Sequence, residues 1–69
     1  MRTAKEIKRL ISEAKEFMEI GVEPFPATLY VLQAKWDKEA KRAIDSKGQD
    51  VTNELFLILN TIRDDNSSL

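Results

Sequence analysis

Residues 26–46, PATLYVLQAKWDKEAKRAIDS, decide the fold. Leu29, Leu32, Trp36, Ala40 and Ala43 recur there at helical spacing, with Ile44 at the edge of the same face. At about 100° per residue these positions form one apolar stripe. The spacing predicts a single helix from Pro26 to Ser46, with Pro26 in the first-turn position that proline favours. Gly48 reads as the glycine just past its end. The small Ala40 and Ala43 would let a neighbouring helix approach beside Trp36.

Two further helices flank this one. The first is expected over residues 4–19, where Thr3-Ala4-Lys5-Glu6 matches a capping box. Ala4, Ile7, Leu10, Ile11, Ala14, Phe17 and Met18 then fall on one arc of roughly 140°. Gly21 suits a left-handed stop, and Val22 could touch Phe17 across it. Pro24 and Pro26 make residues 22–26 a short rigid connection. The third helix is expected over residues 51–63, capped by Asp50. A connection this short implies that the last two helices form an antiparallel hairpin. The expected fold is therefore all-α: one three-helix domain over residues 1–63, with a polar tail over residues 64–69.

Composition limits the function. The 69 residues contain no cysteine and no histidine, which removes disulfides and most zinc sites. A chain of this size buries only about 60% of the surface that it exposes when unfolded, so self-association is an expected support and a homo-oligomer an expected state. The longest apolar run is five residues, far below a membrane span. No signal-peptide pattern is present, and a cytoplasmic protein is the expectation. The formal net charge is −1, unevenly spread. Residues 27–47 hold five basic and three acidic side chains, whereas residues 48–69 hold one basic and four acidic. That is too little basic excess for the usual nucleic-acid footprint.

No catalytic, cofactor-binding or metal-ligating constellation stands out. The only glycines, Gly21 and Gly48, both look like helix stops rather than a phosphate loop. A bundle this small is expected to leave little room for a pocket of about 300 Å³ or more.

The surplus lies in Leu55-Phe56-Leu57-Ile58-Leu59. Val51, Leu55, Ile58, Leu59 and Ile62 share an arc of roughly 100° and suffice for an inner face. Phe56 and Leu57 fall outside it. Either Phe56 packs at the edge of the first helix and Leu57 is an ordinary exposed leucine, or both belong to an association surface. Tyr30, Val31 and Phe25 are further candidates for that surface. The expected function is a non-enzymatic protein–protein interaction module, a small regulator acting by self-association or by docking on a larger protein. Short, charged, cysteine-free helical chains of this kind have the general look of phage-encoded accessory proteins, a likeness of style that rests on no motif.

The alternative is a small DNA-binding regulator. Lys47-Gly48-Gln49 would serve as the turn of a helix-turn-helix, and Lys35, Lys38 and Arg42 form a row able to contact phosphates. Phe56 and Leu57 would then face the groove, and the same row is laced with the i,i+4 pairs Lys35–Glu39, Asp37–Lys41 and Lys41–Asp45 of a solvated helix face.

Overall fold

The computed structural model describes residues 2–67. Helix α1 spans Ala4–Glu19. Its cap is Thr3, whose Oγ1 accepts the Glu6 backbone N–H at 3.2 Å. Ile7, Leu10 and Ala14 turn inward and are buried. The helix closes as its glycine indicated. Gly21 sits at φ +99°, the Gly21 N–H donates to the Met18 carbonyl, and the Val22 N–H reaches back to the Phe17 carbonyl, both at 3.1 Å. This pair of bonds is the Schellman stop.

Helix α2 spans only Pro24–Leu32, so the helix expected over residues 26–46 is not formed. It starts early because both prolines fall in the first turn, where backbone N–H groups have no partner within the helix. The Ala27 N–H, donating to the Glu23 carbonyl at 3.0 Å, loses nothing to either ring. Buried Thr28 donates its hydroxyl to the Pro24 carbonyl at 2.8 Å. The helix ends because Gln33 turns left-handed, at φ 55° and ψ 44°. Its N–H closes on the Tyr30 carbonyl at 3.1 Å.

Beyond Gln33 the chain forms a β-hairpin, which corrects the all-α fold class: three helices are joined by a two-stranded antiparallel sheet. Strand β1 is Ala34–Asp37 and β2 is Arg42–Asp45, in the register Ala34↔Asp45, Lys35↔Ile44, Trp36↔Ala43 and Asp37↔Arg42. The loop between them is held by Asp37, whose Oδ1 accepts the N–H groups of Glu39 (3.0 Å) and Ala40 (3.1 Å). Lys41 closes the loop at φ 56°. The helical pairs Lys35–Glu39, Asp37–Lys41 and Lys41–Asp45 therefore do not arise. Ala40 is exposed in the loop rather than facing a core.

A second tight turn follows β2. Asp45 Oδ1 accepts the N–H groups of Lys47 (2.9 Å) and Gln49 (2.8 Å), and Gly48 adopts φ +81°. Gly48 thus serves a strand turn rather than a helix end. The returning segment pairs with β2: the Asp45 N–H donates to the Gln49 carbonyl (2.9 Å), and the Val51 N–H to the Ala43 carbonyl (2.8 Å). Ala43 donates its own N–H to the hydroxyl of buried Thr52 at 2.9 Å. Both backbone groups of Ala43 therefore point away from β1. Trp36↔Ala43 is then a non-hydrogen-bonded pair, the kind in which facing side chains come closest.

Helix α3 runs Thr52–Ser67, past Arg63 where it was expected to end. Residues 64–67 of the expected tail are helical; residues 68 and 69 lie outside the described residues. An ion pair between Lys15 of α1 and Asp65 ties this extension to the body. The α3 inner face reads as its periodicity implied: Val51, Leu55, Ile58, Leu59 and Ile62 are all buried. They meet Ile7, Leu10 and Ala14 of α1, Ala27 and Leu32 of α2, and Ala43 of β2 in one core. No helix among the described residues is long and apolar enough to cross a membrane.

The left-handed Gln33 gives a test of the break in residues 26–46. A side chain there carries a steric cost that glycine avoids. Gln33→Gly is expected to leave stability unchanged or raise it by up to about 1 kcal/mol in urea unfolding. A loss of about 1 kcal/mol is instead what glycine causes inside a continuous helix.

Candidate functional site

The outer face of α3 holds the two surplus residues. Phe56 is 45% exposed and Leu57 46% exposed. Asn53 and Asn60 flank them on the same exposed side, at about 100° per residue. The one charged side chain within this stretch, Glu54, turns inward and is mostly buried, with Arg2 Nη1 at 3.3 Å. Between Asn53 and Thr61 the exposed side of α3 therefore carries no charge.

Phe56 packs against β1. Its ring lies edge-on to Trp36 of β1, with centroids 6.4 Å apart and planes at 85°. Trp36 in turn meets Phe25 of α2 at 5.6 Å and 81°. Edge-to-face pairs of this kind contribute about 0.5–1.5 kcal/mol each beyond burial. One half-exposed aromatic row thus crosses three elements, from Phe25 through Trp36 to Phe56. Helical spacing hides the middle member's role, because it sets Trp36 on the inner face of a helix.

The other candidates lie elsewhere. Tyr30 is 63% exposed and its ring stands 5.7 Å from Phe17 of α1, on the opposite flank of α2 from Phe25. Val31 is half-buried against the core. Ile20, which drew no notice in the sequence, is 77% exposed at the end of α1. The five residues Phe25, Tyr30, Val31, Phe56 and Leu57 are therefore not one patch. The structure joins Phe25 to Phe56 through Trp36 and sets Tyr30 apart.

The three phosphate candidates gather on the hairpin. Lys35 and Arg42 sit on one sheet face by register, with Lys38 in the loop. Asp37 shares that face opposite Arg42, and Arg42 Nη1 lies 3.9 Å from Asp50. The turn 47–49 follows a strand, not a helix, so it is not the turn of a helix-turn-helix. Helix α2, which does follow a short turn, offers no Arg, Lys, Asn or Gln to read a base edge.

An open groove of about 660 Å³ lies between the start of α1, the end of α2 and the start of α3, larger than a chain of this size was expected to hold. Its lining includes Arg2, Gln33, Asp45, Asp50 and Glu54. The four carboxylates of the lining, these three and Glu6, are all engaged: Asp45 by backbone N–H groups, Glu54 by Arg2, Asp50 by Thr52, and Glu6 by Arg2 at 3.9 Å. Compared with family models, curated proteins and solved structures, the chain matches none.

Asp50 lines this groove just ahead of α3. The Thr52 hydroxyl, then the Thr52 backbone N–H, hold its carboxyl below the ordinary value of 3.8 against the opposing effect of desolvation, with the Arg42 charge adding least. Its charge therefore supports the fold above pH 3.8, and that support is lost as the pH falls below 3.8 through the folded-state value. Asp50→Asn keeps an acceptor oxygen but removes the charge. Urea unfolding is expected to find it less stable than the parent at neutral pH, with the gap closing below pH 3.8. A gap that stays constant through acid would show that the charge is not involved.

Proposed function

We propose that the protein is a non-enzymatic protein-binding module that docks through the outer face of α3, on itself, on a larger protein that it modulates, or on both. One observation carries this reading: Phe56 and Leu57 are each nearly half exposed, side by side, on a stretch with no exposed charge. Interface centres are depleted of charge and enriched in aromatic anchors, and a few such side chains supply most of the binding energy. The mechanism is a helix face laid into a partner groove, read at the i, i+3, i+4 and i+7 positions Asn53, Phe56, Leu57 and Asn60. The engaged carboxylates of the groove, and a chain without histidine or cysteine, favour this reading over an enzyme.

A second reading uses the hairpin on an anionic partner such as DNA. The observation favouring it is the register that sets Lys35 and Arg42 on one face. It ranks lower because Asp37 shares that face and the formal net charge is −1.

Leu57→Glu tests the first reading cleanly, since a surface substitution away from packed features changes stability by only about 0.5 kcal/mol. The variant is expected to keep parental helicity and melting, and to lose the polypeptides that the parent retains in affinity capture from the cells that make it. Loss of fold in Leu57→Glu would show that the side chain is core. Undiminished capture by Phe56→Glu combined with Leu57→Glu would remove α3 from the interface.

A further inference from the structure

We infer that the occupant of the α3 face is a second copy of this chain, docked with its α3 antiparallel about a two-fold axis beside Phe56 and Leu57. The inference rests on the reading of that face as a docking surface and supplies its partner.

A two-fold interface must be self-complementary: where residue i meets residue j, j must also meet i. The exposed side of α3 has that form. Asn53 lies three residues before Phe56, and Asn60 three residues after Leu57. A two-fold axis between Phe56 and Leu57 sets each Asn53 opposite Asn60 of the second copy. Each amide both donates and accepts, so the two pairs satisfy one another. The apolar side chains of both copies meet at the centre, and the Asn pairs close the two ends.

Charge selects the antiparallel arrangement. The hairpin and returning segment ahead of α3 carry a net +1 over residues 34–51, and the helix N-terminus adds its positive dipole end. The far end of α3 carries Arg63, Asp64 and Asp65, a net −1, with Asp65 paired to Lys15 of α1. Antiparallel copies bring the acidic end of each helix beside the basic end of the other. Parallel copies would stack acid on acid.

Area sets the extent. A stable interface takes about 800 Å² from each partner, about a sixth of the 5042 Å² that this chain exposes. One helix face, four turns long, falls short of that. The contact must spread from Phe56 onto the Trp36–Phe25 row, which is continuous with it.

The chain has no cysteine, so introduced thiols report geometry without ambiguity. The expected result in sedimentation equilibrium of the purified protein is a reversible monomer–dimer equilibrium, shifted at least tenfold toward monomer by Leu57→Glu. Under mild oxidation, an equal mixture of Asn53→Cys and Asn60→Cys chains is expected to give chiefly the mixed disulfide dimer. Predominant like-with-like disulfides would overturn the antiparallel two-fold. A parent chain that stays monomeric at millimolar concentration would overturn the second copy as occupant. If capture of another polypeptide still depended on Leu57 in that case, the docking-face reading would stand without this inference; if it did not, both would fall.

Discussion

The hydroxyl of Thr52 is the junction on which the rest of the fold hangs. A two-stranded hairpin is marginally stable at best when isolated. Here β2 is flanked on its other edge by residues 49–51, and the joint is completed by a buried side chain. Thr52 accepts the Ala43 N–H and donates its own hydroxyl hydrogen to Asp50. Without it, Ala43 would carry a buried donor with no partner, a cost of about 1–3 kcal/mol. Because Ala43 faces Trp36 across the hairpin, fixing Ala43 on α3 also fixes Trp36. Trp36 then places Phe25 on one side and Phe56 on the other. The aromatic row that borders the proposed docking face is thus a consequence of how the hairpin is anchored.

The same anchoring explains why a small chain can expose so much apolar surface. The core is complete without Phe56 or Leu57, since α1, α2, β2 and the inner face of α3 already enclose one another. Every buried side-chain polar atom among the described residues has a partner. The outer face of α3 is therefore not needed to seal the interior. What remains there is two large apolar side chains bracketed by amides, with charge displaced to the two ends of the helix.

Much of this was legible, and the part that was not has a physical cause. Helix α1 was readable because its signals are local: Thr3 caps it, Gly21 stops it, and the periodicity between them is unbroken. The inner face of α3 was readable for the same reason. The hairpin was hidden by a coincidence of spacing. Trp36 and Ala43 are seven residues apart, which sets them on one face of a helix and also makes them direct partners across a four-residue loop. Ala, Lys and Glu between them favour helix. The bends are made without glycine, by left-handed Gln33 and Lys41 and by the Asp37 carboxylate. Asp37 and Asp45, each folding the following N–H groups onto its own oxygen, were the available signal. At the candidate face, the wheel separated Phe56 and Leu57 from the core arc, and both are about half exposed. It could not show Trp36 beside Phe56, because that contact exists only once the hairpin is folded.

Amide hydrogen exchange resolved at single residues tests the Thr52 junction most directly. The Ala43 amide is predicted to exchange as slowly as those of Ile58 and Ile62 in the core of α3, and to lose that protection in Thr52→Val while α1 amides keep theirs. An Ala43 amide in the parent chain that exchanges as fast as those of the hairpin loop, Lys38 and Lys41, would contradict the account.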